Sequence, residues 1–213
     1  MSLNFMRIHT FYAMLKPFSA RMRRKRMNHF FEAMNISTDK KIIDLGGHQK
    51  IWNAADLPLQ ITILNLPGAV NTSEHAQHRF VFVEGDACDV RGFADNTFDV
   101  VFSNSVIEHV GSAHDRAKFA REVRRLGKSY WVQTPSKFFP IEAHNGMPFW
   151  WFYPSWVRKR FIDRWRRNLP AWTEMVEGTD IVSYSELRDL FPEAKIFVEK
   201  FYGIPKSYVA IHV

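Results

Sequence analysis

Apolar residues recur at three- and four-residue steps early in the chain, at Phe11, Met14, Leu15, Phe18, Met22 and Met27. That period predicts helix over residues 5–34, interrupted at Pro17, which lacks the amide a helix interior uses. From residue 41 the pattern shifts to short apolar runs. Lys41–Leu45, Ile61–Asn65, Phe80–Val83 and Phe98–Phe102 read as strands, and the first three stop at Gly46-Gly47, Pro67-Gly68 and Gly85-Asp86. Helix is expected around 49–56 and again over 113–126. There Ser112 and Asp115 have capping-box spacing, Ala113, Ala117, Ala120 and Val123 mark one face, and Gly127 ends the run. Tyr130–Gln133 is a fifth strand, stopped by Pro135. A loop rich in aromatic residues, Phe138–Trp156, follows, then a basic helix over 155–168 and a short helix Ser185–Leu190. Ile196–Phe201 and Tyr208–Val213 are closing strands, joined by a turn at Gly203/Pro205.

Strands alternating with helices indicate βαβ units, hence an α/β fold with a doubly wound, seven-stranded and mostly parallel sheet. The last two strands are too close for a helical crossover and should pair antiparallel as a C-terminal hairpin. Residues 1–40 form an N-terminal helical, basic segment expected to act as a lid. Residues 41–213 form the main domain, with 136–170 as an aromatic and basic insertion over the site.

Composition narrows the class. Among 213 residues, 46% are apolar and 24% charged, which is ordinary for a folded globular chain. A single cysteine, Cys88, excludes an intrachain disulfide and fits a reducing, cytoplasmic setting. No run approaches the roughly 20 apolar residues a membrane span requires. The net charge of +7 is unevenly placed: residues 1–41 hold nine Lys/Arg against two Asp/Glu, and residues 155–170 hold six against one. Two basic segments around a mildly acidic core suggest an anionic partner, such as a membrane surface, a nucleic acid or a phosphorylated substrate. A solvated helix face gives the same pattern, so both readings stand here.

Candidate chemistry gathers at strand ends, where open α/β sheets bind ligands. Asp44 closes the first strand, and Gly46 and Gly47 allow the backbone a tight turn and close approach to a ligand. An acid there suits a cationic or amino-bearing cofactor better than a pyrophosphate. Asn65 closes the second strand, either to bond a ribose diol or to form the turn before Pro67-Gly68. Glu84-Gly85-Asp86-Ala87 follows the third strand, and a carboxylate there can accept from an exocyclic amine. The fourth strand leads through Ser103 to Glu108 and His109.

Together these segments resemble the class I S-adenosylmethionine-dependent methyltransferase superfamily. The series is D-x-G-G, a polar strand end, G-D-A, then F-D-x-V-x-S-x-x-x-x-E-H-V. Residues 40–135 carry the likeness, the strand pair at 196–213 adds to it, and a Rossmann-like fold follows from it. The Asp44-Leu-Gly46-Gly47 and Tyr-Trp-Val-Gln-Thr-Pro135 segments look most like type 11 methyltransferases of bacterial surface-glycan and lipid pathways. The resemblance implies S-adenosylmethionine as cofactor. Asp44, Gly46 and Gly47 would lie under its methionine end, Asn65 at the ribose, Asp86 and Ala87 at the adenine, and Ser103 near the sulfonium. His48 and Lys50 stand where the family commonly has glycine, and Asn65 where it has an acid.

Methyl transfer requires alignment of the acceptor, exclusion of water and, for some acceptors, removal of a proton. His109 and His144 are the candidate bases, with Glu108 beside them, since an imidazole titrates near neutral pH. A helix-start histidine packed on the sheet is the alternative for His109. Glu108-His109 and Glu142-x-His144 could also supply metal ligands. Methyltransferases with a Glu-x-x-Glu-His run do so, but Ser105 replaces the first Glu here, and no metal is assigned. The expected acceptor is an O or N atom of a small-molecule, glycan or lipid-linked compound, with peripheral contact to an anionic membrane. A catalytically degenerate scaffold and an RNA methyltransferase are the rivals. Nucleic acid ranks low as a partner because no appended RNA-binding module is visible.

Overall fold

The computed structural model describes residues 20–68 and 77–213. Phe11, Met14, Leu15, Phe18 and the Pro17 break lie outside the described residues. Seven strands form one sheet: β1 (Lys41–Leu45), β2 (Gln60–Asn65), β3 (Arg79–Glu84), β4 (Phe98–Asn104), β5 (Gly127–Pro135), β6 (Lys195–Phe201) and β7 (Ile204–His212). Their spatial order is β3-β2-β1-β4-β5-β7-β6. Strands β1 to β5 are parallel, and β7 runs antiparallel to both β5 and β6. The chain order reverses between β1 and β4, so the ligand-binding crevice of such a sheet is expected at their carboxyl ends.

Side chains alternate across the pleat, and each face finds its own cover. On one face Ile42, Ile61, Ile63, Val100, Phe102, Trp131 and Val209 pack beneath α1 (20–33), which contributes Met27 and Phe30, and beneath Met34 just past its end. Phe30 meets Trp52, Phe102 and Trp131 edge-on at 4.7–5.9 Å. On the other face Ile43, Leu45, Val101, Tyr130 and Val132 pack against α2 (Ala113–Leu126) and α5 (Tyr184–Leu190). Each large apolar side chain fully buried this way contributes roughly 1.5–3 kcal/mol.

The connection from β1 to β2 contains only a six-residue 3-10 helix, Gln49–Ala54, where the apolar spacing predicted a longer turn of helix. So short an element cannot cover its sheet face, and α1 does so instead. The expected capping box at Ser112 and Asp115 is present, and Gly127 caps the end of α2. The buried face of that helix is Phe119, Ala120, Val123 and Leu126, while Ala113 is exposed. β5 begins directly at Gly127, where a Cβ would lie 2.6 Å from Val101 Cγ2.

Beyond β5 the aromatic stretch holds one 3-10 turn, Trp150–Phe152, entered through Phe149 in a left-handed conformation. The basic helix α3 (Ser155–Asn168) leans on α4 (Pro170–Glu177), a helix that the apolar spacing did not reveal. Trp165 and Trp172 meet edge-on between them at 5.0 Å. The final hairpin turns at Tyr202 and Gly203, both at positive φ, so Pro205 sits inside β7 rather than in the turn.

Candidate active site

A cleft of about 780 Å³ opens at the carboxyl ends of β1 and β4, the point where strand order reverses. Its floor is Asp44, Gly46, Gly47, Phe102 and Asn104. His48, Lys50, Ile51 and Asn53 from the β1–β2 connection form one wall, and Arg23, Arg24 and Met27 of α1 form the other.

Asp44 is fully buried. Its Oδ2 accepts a 2.8 Å hydrogen bond from Trp52 Nε1, while Oδ1 is buried with no hydrogen-bond partner. Burial pushes its pKa up to about 7, with the Trp52 bond pulling the other way. A buried carboxylate oxygen without a donor, on the floor of a cleft, is suited to a cationic group. The two glycines make this possible. Gly46 sits at φ +72°, and a Cβ on it would lie 2.8 Å from the Val106 methyls. A Cβ on Gly47 would fall 1.8 Å from Asp44 Oδ2.

Asn65 Nδ2 donates to Gly47 O at 2.9 Å, tying the end of β2 to the glycine turn and leaving its carbonyl oxygen as an acceptor. Asp86 is exposed, its Oδ1 accepting from Cys88 N at 2.8 Å, with Ala87 half-buried beside it. Burial first, then the Asp86 charge, pushes the Cys88 thiol up to about 12. Ser103 is fully buried and donates to Leu45 O at 3.2 Å, while its neighbours Phe102 and Asn104 line the cleft. The structure thus gathers Asp44, Gly46 and Gly47 at one cleft, with Asn65 hydrogen-bonded to Gly47. Asp86, Ala87 and Ser103 are not among its lining residues.

A second polar cluster forms where the β4 and β5 loops meet. His109 Nε2 lies 3.0 Å from His144 Nε2, and Glu108 Oε1 is 4.0 Å from that same atom. Glu142 Oε1 faces His144 Nδ1 at 2.9 Å, Thr134 Oγ1 donates to Glu108 Oε2 at 3.1 Å, and Thr179 Oγ1 faces His109 Nδ1 at 3.3 Å. Burial raises the Glu108 pKa to about 7. Desolvation, then the neighbouring His144, presses that of His109 down to about 4, although its ring keeps an exposed edge. Burial also disfavours charge on His144, but Glu142 and Glu108 outweigh it and hold the pKa above the usual range. The sequence identified Glu108, His109 and His144. Thr134, Thr179, Trp52, Asn104 and the α1 arginines were missed, because strand register and helix docking bring them in.

Residues 47–129 match a family described as a methyltransferase domain. This match runs from Gly47 to the start of β5 and gives that segment the pattern of a methyltransferase domain. Solved structures share the fold of this chain at low identity. A putative methyltransferase from an antibiotic biosynthesis pathway of Anabaena variabilis is 16% identical, with 83% of this chain and 64% of that one covered and a TM-score of 0.54. Haemonchus contortus phosphoethanolamine N-methyltransferase 2, in complex with phosphomonomethylethanolamine and S-adenosylhomocysteine, is 16% identical at a TM-score of 0.53. The alignment covers 82% of this chain and 38% of that one. A Haloferax volcanii complex of the Trm112 activator with a putative methyltransferase is 14% identical over 96% and 95% of the chains, at a TM-score of 0.51. No curated protein matches the chain significantly.

The glycine turn yields a direct expectation. Gly47→Ala must displace the Asp44 carboxylate or the Trp52 ring that it binds. S-adenosylmethionine affinity should fall at least about tenfold while far-UV circular dichroism stays unchanged, since the turn lies between regular elements. Titration calorimetry on the variant checks this, and wild-type affinity would refute the contact.

Proposed function

We propose that this chain is a class I S-adenosylmethionine-dependent methyltransferase that transfers the methyl group to an O or N atom of an anionic small-molecule, glycan or lipid-linked acceptor. One observation carries it: the buried, unpartnered Asp44 Oδ1 on the floor of the cleft at the β1–β4 switch point. That oxygen fits the ammonium of the cofactor's methionine end, and Gly46 and Gly47 give it close backbone approach. Asn65 offers its carbonyl oxygen toward a ribose, and Asp86 and Ala87 stand at the end of β3 for the adenine. Ser103 anchors β4 behind the cleft. When bound, the cofactor supplies an electrophilic methyl on a sulfonium.

Arg23, Arg24, His48 and Lys50 around the cleft favour an acceptor bearing phosphate or carboxylate. A fold neighbour holds phosphomonomethylethanolamine, an acceptor of that chemistry. Glu108, His109 and His144 orient and activate the acceptor. The test is transfer of radiolabelled methyl groups to a panel of phosphorylated and neutral acceptors. Arg23→Glu/Arg24→Glu should raise KM for anionic acceptors at least about tenfold and by more than for neutral ones. Equal turnover of neutral and anionic acceptors would overturn the acceptor class.

No helix among the described residues is long and apolar enough to cross a membrane. We place the enzyme in the cytoplasm, with α3 touching an anionic bilayer. No side chain of α3 is fully buried, and Trp156, Arg160, Arg164 and Arg167 share one exposed stripe. Phe149 and Phe152 are also more than half exposed. Such a face suits the headgroup region. Trp156→Ala combined with Arg160→Gln, Arg164→Gln and Arg167→Gln should cut pelleting with anionic liposomes at least about tenfold. Unchanged pelleting would remove the membrane contact.

A further inference from the structure

The hydrogen bonds around Glu108, His109 and His144 determine what their inward atoms offer. Glu142 Oε1 is an acceptor, so the His144 Nδ1 facing it carries a proton and, in the neutral ring, Nε2 carries the lone pair. Thr179 Oγ1 donates its only proton to Met175 O at 2.9 Å. It therefore accepts from His109 Nδ1, and His109 Nε2 is also a lone pair. These two Nε2 atoms face each other at 3.0 Å. Glu108 Oε2 is bound by Thr134, while Oε1 is buried with no hydrogen-bond partner. Three acceptors thus converge, all within 4.8 Å of one another. This holds with His144 neutral and Glu108 ionised, and in that state the three ligand atoms converge as a cation site requires.

We infer that Glu108, His109 and His144 bind one divalent transition-metal ion of the zinc class. Two imidazoles and a carboxylate form a borderline donor set that suits zinc or ferrous iron better than magnesium or calcium. Two nitrogens 3.0 Å apart subtend about a right angle at an ion about 2.1 Å from each, and a shift of the Glu108 carboxylate by about an ångström completes the three-ligand set. Each ligand is also held from behind, by Glu142, Thr179 and Thr134. Partners of that kind fix ring orientation and tautomer at metal sites. The ligands come from the loop after β4 and the loop after β5, so an ion would clamp two connections at the carboxyl edge of the sheet. Three protein ligands leave a coordination position open. An acceptor oxygen there would lose its proton more readily; that role rests on the methyl-transfer proposal, whereas ion binding does not.

The test is calorimetric titration of the chelator-stripped full chain with Zn2+, and with Co2+ for its visible absorption, without cofactor or acceptor. One ion per chain is expected. His109→Ala and His144→Ala should each weaken it at least about 100-fold, and Glu142→Gln about 10- to 100-fold. Melting curves identify any variant that fails to fold, and Glu108→Gln provides a near-isosteric replacement for the buried carboxylate. Absence of stoichiometric uptake by the folded wild type would overturn the inference. So would uptake that survives both histidine replacements. The acceptors would then be reconciled by a proton on His144. Titration of the same preparation with S-adenosylmethionine separates the two proposals: cofactor binding without metal uptake sinks only the metal site, and the converse sinks only the cofactor placement.

Discussion

Asp44→Ala should abolish measurable S-adenosylmethionine binding, a loss of at least about 100-fold, in a protein that still melts cooperatively. The substitution removes the buried carboxylate whose Oδ1 lacks a donor and whose Oδ2 holds Trp52. The effect has a pH signature. Burial raises the Asp44 pKa to about 7, so in the cofactor-free protein the carboxyl is protonated below that point. A cationic group binds only the ionised form. Affinity should therefore fall by up to about tenfold per pH unit as pH drops below 7, a range in which the cofactor's own amine stays charged. Folding stability moves the opposite way. A carboxylic acid whose folded pKa exceeds its unfolded value favours the folded state most at low pH. That contribution is lost as pH rises from about 4 through 7. Asp44→Asn should flatten both profiles. Calorimetry and thermal melts from about pH 5.5 to 7.5 check this, and pH-independent affinity in the wild type would remove Asp44 from the ammonium site.

The second large effect is expected at Arg26. Its guanidinium is buried and reaches from α1 to three strands: Nη1 donates to Asn104 and Gln133, both at 2.8 Å, and Nη2 to Glu199 at 2.6 Å. Burial alone would raise the Glu199 pKa, but the Arg26 charge overrides that and holds it below the usual range. Arg26→Met leaves the buried Glu199 without its ion-pair partner, only the Ser207 hydroxyl and the Lys206 charge remaining to offset it, which typically costs roughly 3–5 kcal/mol. For a domain of this size the melting temperature should drop by on the order of 10 °C. Adding Glu199→Gln should restore part of that loss. A single variant that melts with the wild type would show that α1 is held by its apolar face alone.

Arg26 also marks where the sequence stopped being informative. It stands in the consecutive basic run 23–26, part of a basic segment that reads as a solvated or anion-binding face, and only docking of the helix shows that one of them is the anchor. The strands were legible because each apolar run ends at residues that cannot continue a strand, as at Gly46-Gly47 and Pro67-Gly68. Strand β5 extends beyond its apolar run because Gly127 is needed where Val101 leaves no room for a side chain. Helix α4 was hidden by its lack of a fully apolar stripe, its only buried residues being Thr173 and Val176. At the site, Asp44, Gly46 and Gly47 were legible as a strand end followed by a turn. The Trp52 contact was not, since its indole reaches back across a 3-10 turn whose geometry no periodicity encodes. Ser105, standing in place of a ligand, argued against a metal. The opposing argument lies in tautomers set by Thr179 and Glu142, which sequence spacing cannot express.

Because Arg23, Arg24 and Met27 form one wall of the cleft proposed for the cofactor, that proposal puts α1 docking and cofactor occupancy in a single free-energy cycle. Apparent affinity scales with the fraction of molecules whose α1 is in place. By reciprocity, a bound cofactor tightens the docking of α1 by the same factor. Any load on the chain before residue 20, whether a fused tag, a bound surface or a second protein, would then tune the cofactor equilibrium without touching the cleft.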